Sequence, residues 1–283
     1  MTKIDMKKTA GEPSPALDKL CIHTATTRPL SIELAVDAYA AAGVAGITVW
    51  RDALSGRDPA AVGGLIRGAG LTPVSLCRGG FFVSPEADAR AAAVANNETA
   101  IREAAELGAP MVVLVCGAHP SVSLEEGRDQ IVKGIEAVLP LAEERGVRLA
   151  IEPLHPMYAD TRSAVNTMRS ANDLADRIHH ELVGVAVDVY HVWWDPELEK
   201  QIDRCGKRIF AFHVCDWCIP TRDLLTDRGL MGEGCIPIPQ IRSWVEAAGF
   251  SGFNEVEIFS TEYWAQDQTA YIARIVDAYG QHV

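Results

Sequence analysis

The sequence has no apolar run approaching the 18 or so uninterrupted residues of a membrane-spanning helix, so no membrane association is expected. It also lacks an excess of positive charge. Its 26 Lys and Arg stand against 38 Asp and Glu, and the formal charge of −12 repels phosphate backbones and anionic lipid. Nucleic acid is therefore not an expected partner. No apolar stretch follows Lys3, Lys7 and Lys8, so residues 1–19 read as an N-terminal tail and not as a secretory signal. A disulfide framework is missing too, because the seven cysteines are odd in number and scattered from Cys21 to Cys235. Cys21, Cys77 and Cys116 lie in apolar strand-like runs, where cysteine behaves as a small buried hydrophobe. Cys215 and Cys218 make the single C-x-x-C, without the second pair of a zinc motif. This cysteine usage fits a reducing cytoplasm.

What is present is alternation. Short runs rich in Val, Ile and Leu recur at 20–23, 46–50, 73–77, 111–116, 148–152, 183–188, 209–214 and 253–258. Each is too short for a helix and apolar at consecutive positions, as strands of a parallel sheet buried on both faces are. Between them lie amphipathic, Ala-rich segments over 31–42, 59–69, 85–107, 124–145, 163–178, 196–205, 239–248 and 266–279. Ser31, Ser84 and Ser123 precede three of these, where a hydroxyl satisfies free helix N–H groups. Eight strands alternating with eight helices predict one α/β domain over residues 20–283, a single (β/α)8 TIM barrel. An open doubly wound sheet usually has fewer strands and tends to carry a G-x-G-x-x-G loop after the first. Here the first strand runs into His23-Thr24-Ala25-Thr26-Thr27.

In such barrels the reacting groups come from the C-terminal ends of the strands. The fifth run ends Ile151-Glu152-Pro153-Leu154-His155, the sixth Val187-Asp188-Val189-Tyr190-His191, and the seventh Phe212-His213-Val214-Cys215-Asp216. The eighth carries Glu255-Val256-Glu257. Ionised carboxylates inside apolar strands are costly unless compensated. One divalent cation held by Glu152, Asp188, His213 and Glu257 would compensate all three, with Glu255 as the reserve for Glu257. Three oxygen donors and one nitrogen suit Mn2+ first, and Co2+, Mg2+ or Zn2+ after it. Candidate bases are Glu152, Glu257, His119 and His155. Trp50-Arg51 and Arg78 end the second and third runs, and Trp193-Trp194 follows His191. The stretch 216–236 is long for a strand-to-helix connection and reads as a binding loop. Its Thr221-Arg222-Asp223 and Asp227-Arg228-Gly229 read by default as solvated surface.

Taken together, these pieces resemble the xylose isomerase-like TIM-barrel superfamily, in its sugar isomerase and epimerase branch. The matching motifs are Ile151-Glu152-Pro153, Val187-Asp188 with His191, Phe212-His213-Val214 with Asp216, Gly232-Glu233-Gly234, and Gly249-Phe250-Ser251-Gly252-Phe253 leading to Glu257. The resemblance implies one divalent metal on Glu152, Asp188, His213 and Glu257. By resemblance to ketose 3-epimerases, Glu152 and Glu257 also shuttle the proton and His191 contacts the sugar. The arginine that those enzymes carry after the seventh strand would fall near Ile219; the nearest candidate here is Arg222. Expected substrate contacts are thus His191, His155, Arg222 and Trp50.

The expected activity is removal of a proton next to the carbonyl of a non-phosphorylated sugar through an enediolate, as in a sugar isomerase or epimerase. The alternative is a lyase that cleaves the C-glycosidic bond of a 3-keto-C-glycoside. The chain resembles the C-glycoside deglycosidases, which pair such a barrel with a small β-rich subunit. A homo-oligomer or a hetero-oligomer with such a subunit is accordingly expected. The endonuclease IV family shares the fold, but its three-metal site needs more histidines than the eight here.

Overall fold

A computed structural model describes residues 17–283. Of the expected N-terminal tail, residues 1–16 lie outside the described residues, and Leu17–Lys19 form a single 3-10 turn leading into the first strand. Eight parallel strands close a barrel: β1 (Leu20–His23), β2 (Gly46–Trp50), β3 (Thr72–Gly80), β4 (Met111–Val115), β5 (Arg148–Glu152), β6 (Val183–Asp188), β7 (Ile209–Val214) and β8 (Asn254–Val256). β1 pairs with both β2 and β8, which completes the ring. The principal helices are Ile32–Ala41, Pro59–Gly68, Ala87–Leu107, Leu124–Arg145, Met168–Ile178, Leu198–Cys205, Ile238–Ala247 and Gln268–His282. The single (β/α)8 barrel read from the alternation is the fold. Among the described residues no helix is long and apolar enough to cross a membrane, and all seven cysteines are free.

Two differences from the sequence reading have physical causes. β3 runs on through Arg78-Gly79-Gly80, beyond the apolar run 73–77. Asn97 on the following helix holds that extension, since its side chain accepts from Gly80 N and donates to Gly80 O. Gly80 has φ 103°, and a Cβ there would lie 2.0 Å from the Val115 carbonyl, so only glycine fits. The helix expected from Ser163 begins instead at Met168. Asn166 donates to the Leu154 and Ser163 carbonyls, which ties the preceding turn to the barrel. Thr167 then caps the helix in a reciprocal box with Ser170. The three opening serines divide, with Ser31 capping its helix by accepting from Leu34 N. Ser123 caps its helix by accepting from Glu126 N, whereas Ser84 accepts from Glu86 N ahead of a helix that starts at Ala87.

The barrel packs on both faces. Outward residues of the strands join the helices in one large apolar cluster, while Cys21, Val74, Cys77, Met111, Val113, Ala150, Ala186, Phe210 and Ala211 form a second. Every second residue of a strand shares a face. Cys21, Ala150, Ala186 and Ala211 therefore set a layer of small residues, and His23, Glu152, Asp188 and His213, two residues on, set the polar layer above it.

Candidate active site

Glu152 and Asp188 are the last residues of β5 and β6, His213 is the penultimate residue of β7, and Glu257 immediately follows β8. All four are buried, and one donor atom from each lies within 4.8 Å of the others, an arrangement that could hold a metal ion. Glu152 Oε1 stands 3.2 Å from His213 Nδ1, yet neither atom has a hydrogen-bond partner of acceptable geometry. Buried polar atoms left unpaired are costly, and here two of them face one point. The donor set and its unsatisfied atoms fit a divalent cation.

Beneath this cradle lies a second polar group that the sequence reading did not assemble. Glu255 Oε2 accepts from Thr48 Oγ1 at 2.6 Å, from Ser75 Oγ at 3.1 Å and from His23 Nε2 at 3.2 Å. His23 Nδ1 accepts from the Trp50 indole at 3.2 Å, which leaves the proton on Nε2. Burial opposes ionisation of Glu255, but His23, His213 and Thr48 outweigh it and hold the carboxyl below its ordinary value. The signal for His23 was its inward register two residues beyond Cys21.

Arg228 is the other residue brought in unexpectedly. Asp216-Trp217 pairs antiparallel with Arg228-Gly229, folding the long loop after β7 back over the barrel mouth. Asp216 secures the turn by accepting from Gly232 N and Ile236 N. Arg228 is thereby buried, donating through Nη1 to Glu257 Oε2 at 2.6 Å and Asp188 Oδ2 at 3.0 Å, and facing His191 Nε2 with Nη2 at 3.1 Å. Burial opposes the Glu257 charge, but Arg228, with the shorter contact, holds that carboxyl well below the usual range. Burial pushes Asp188 up to about 7 against the pull of the same arginine. Burial and then Arg228 keep the His191 imidazole neutral. Burial would also lower His213, but its contact with Glu152 and the charges of Glu255 and Glu257 raise it to about 10.

Over this floor opens a cleft of about 470 Å³ whose lining includes Glu152, Glu257, His191, Arg228 and Trp50. Three residues expected at the site lie elsewhere. His119 bonds Ser121 through Nδ1, and His155 packs edge-on against Trp194 and leans on Trp217. Arg222 is 60% exposed and pairs with buried Asp227 and exposed Glu262. Loop chemistry explains the displacement, because each is three to eight residues beyond a strand end and free to turn outward.

A closed parallel barrel with acid, acid, imidazole and acid at the ends of β5 to β8 defines a TIM-barrel protein with a polar, metal-competent mouth. The family model for xylose isomerase-like TIM barrels matches residues 36–275, and the chain belongs to that family. The inosose isomerase of Bacillus velezensis is 31% identical over 147 residues, 48% of this chain and 50% of that protein. That of Halalkalibacterium halodurans is 25% identical over 163 residues, 56% of each. The chain thus spans about half the length of these curated relatives. Protein SMc04130 of Sinorhizobium meliloti 1021 superposes with a TM-score of 0.90 at 47% identity, covering 93% of this chain and 98% of that one. The IolI protein solved with a zinc atom gives 0.81 at 21% identity, covering 93% and 97%, and shares the fold.

Proposed function

We propose that the protein is a divalent-metal-dependent isomerase or epimerase of keto or aldo sugars. The observation that carries this reading is the buried convergence of Glu152, Asp188, His213 and Glu257, with unpartnered donor atoms at its centre. The inosose isomerases among the relatives act, by name, on a polyhydroxy ketone, which is the same substrate class.

Glu152, Asp188, His213 and Glu257 would hold the ion; Mn2+ suits three carboxylates and an imidazole, and Co2+, Mg2+ and Zn2+ share that donor chemistry. When bound, the ion supplies positive charge against the oxygen that becomes negative as an enediolate forms. The remaining work falls to the chain. Glu152 and Glu257 both line the cleft, so one carboxylate removes the proton from the carbon next to the carbonyl and the other returns one. Proton return to the neighbouring carbon interconverts aldose and ketose; return to the opposite face of the same carbon inverts it. His191, neutral and with Nδ1 unpartnered, offers a hydrogen bond to a substrate oxygen. Trp50 walls the cleft and keeps His23 in the tautomer that serves Glu255. His119, His155 and Arg222 have no part in this scheme.

The test is deuterium exchange from solvent into a panel of keto sugars and 3-keto-glycosides, followed by NMR, with elemental analysis of the same protein. The expected result is deuterium at the carbon next to the carbonyl with the carbon skeleton intact. Glu152→Gln should abolish exchange, and His213→Ala should abolish both exchange and bound metal. Full exchange in protein shown to be metal-free overturns the reading, and cleavage of the skeleton would replace it with the lyase.

A further inference from the structure

Five arginines line the cleft: Arg28, Arg51, Arg78, Arg162 and Arg228. Two are committed, Arg51 to Glu103 at 2.5 Å and Arg228 to Asp188 and Glu257. Arg28, Arg78 and Arg162 are held by rings instead, Arg28 at 5.4 Å from the ring centre of Trp264. The Arg78 guanidinium lies 4.5 Å from the Phe81 ring centre and 5.8 Å from that of Trp50, and Arg162 lies 5.5 Å from that of Tyr158. Among the described residues none of the three makes an ion pair. Carboxylates are plentiful in a chain with 38 acidic residues against 26 basic ones, so three unpaired guanidinium groups around one cleft call for an explanation, above all Arg78 and Arg162, which feel each other's charge.

Phe81, the platform under Arg78, has a left-handed φ of 56°, an uncommon backbone for a bulky residue and one that tends to mark functional sites. The two cations also feel one another. Burial first, and then the charge of Arg162, pull the Arg78 guanidinium below its ordinary value. Like charges on one wall repel, and an anion received there removes the repulsion. A guanidinium fork matches a carboxylate or phosphate two oxygens at a time. The net charge of −12 does not oppose this, because it sums the whole chain while the field at this wall is set by its nearest cations.

We propose that Arg78 and Arg162 receive an anionic group, carboxylate or phosphate, on a substrate whose reacting carbons lie over the Glu152 and Glu257 floor. The protein then acts on an acidic sugar derivative and discriminates against the neutral sugar. This rests on the isomerase or epimerase reading of the floor. No glycine-rich loop announces such a site in the sequence, since the wall is assembled from the end of β3 and the loop after β5.

The test is calorimetric binding of three ligands with one skeleton, D-fructose, D-fructuronate and D-fructose 6-phosphate, to the metal-loaded protein. Both anions, or one of them, should bind at least about tenfold more tightly than D-fructose, with the advantage shrinking as salt rises. Arg78→Gln and Arg162→Gln should each remove about tenfold of that advantage, and Arg78→Lys, which keeps the charge, should retain part of it. Whichever anion binds better identifies the group. D-Fructose binding as tightly as both anions overturns the proposal. So does an advantage that survives in the double Gln variant, for the metal or Arg28 would then account for it. Anion preference without deuterium exchange would sink the isomerase reading and leave this subsite standing, and exchange without anion preference would do the reverse.

Discussion

Glu255 Oε2 stands 3.8 Å from His213 Nε2, on the opposite side of the imidazole from Glu152, which approaches Nδ1 at 3.2 Å. The ring is thus bracketed by carboxylates, one in the metal cradle and one below it. A carboxylate behind a ligating histidine orients the ring and strengthens it as a donor. Glu255→Gln should therefore weaken metal retention by about 10- to 100-fold in a chelator competition, with the circular dichroism of the barrel preserved. Unchanged retention would mean that Glu255 only fills the barrel.

Arg228 is shared by Asp188 and Glu257, and its loss leaves two buried carboxylates facing each other. Arg228→Met should cost about 3–5 kcal/mol of stability in metal-free protein, read by urea unfolding. Adding Mn2+ should then raise the melting temperature more in the variant than in the parent, because the ion takes over the compensation. An equal rise in both would argue that Arg228 and the ion act on different charges.

Adjacent glycines in the helix Pro59–Gly68 should respond in opposite directions. A Cβ on Gly63 would sit 2.1 Å from the Leu107 carbonyl oxygen, while a Cβ on Gly64 meets nothing within 4 Å. Gly63→Ala should destabilise by about 1–3 kcal/mol, and Gly64→Ala should stabilise by about 0.5–1 kcal/mol. Chemical denaturation of the two variants side by side reads both signs.

Arg57 grips Glu33 with two hydrogen bonds and holds its carboxyl down to about 2 from the ordinary 4.5. A carboxyl depressed in the folded state contributes stability above its unfolded value and loses it as pH falls through the folded one. The melting-temperature gap between parent and Glu33→Gln should accordingly be full above pH 4.5, shrink below it and close near pH 2. Because the pair is exposed, high salt should narrow the gap as well. A gap independent of pH would assign the effect to packing.

The barrel was legible because consecutive apolar residues bounded by helical segments leave few alternatives, and all eight strand starts fall within one residue of the expected positions. Glu152, Asp188, His213 and Glu257 were legible as candidates because strand ends fix where a side chain points. His119, His155 and Arg222 were misplaced for the converse reason: a loop residue has no register to hold it. Arg228 was hidden for a related cause. Its burial depends on the ladder between Asp216-Trp217 and Arg228-Gly229, a pairing of four residues with no hydrophobic signature. Arg78 was visible as a strand-end arginine, but its freedom from any carboxylate shows only once the neighbouring elements are packed around it.

The layer of Cys21, Ala150, Ala186 and Ala211 keeps the barrel interior narrow in side-chain bulk just where Glu255 and His23 need room. Selection can therefore retune the electronic character of the reaction centre from underneath, through residues no ligand touches, while the arginines and aromatics of the rim change what is admitted. Reactivity and admission are written on separate storeys of one cylinder, and a descendant could alter either without rebuilding the other.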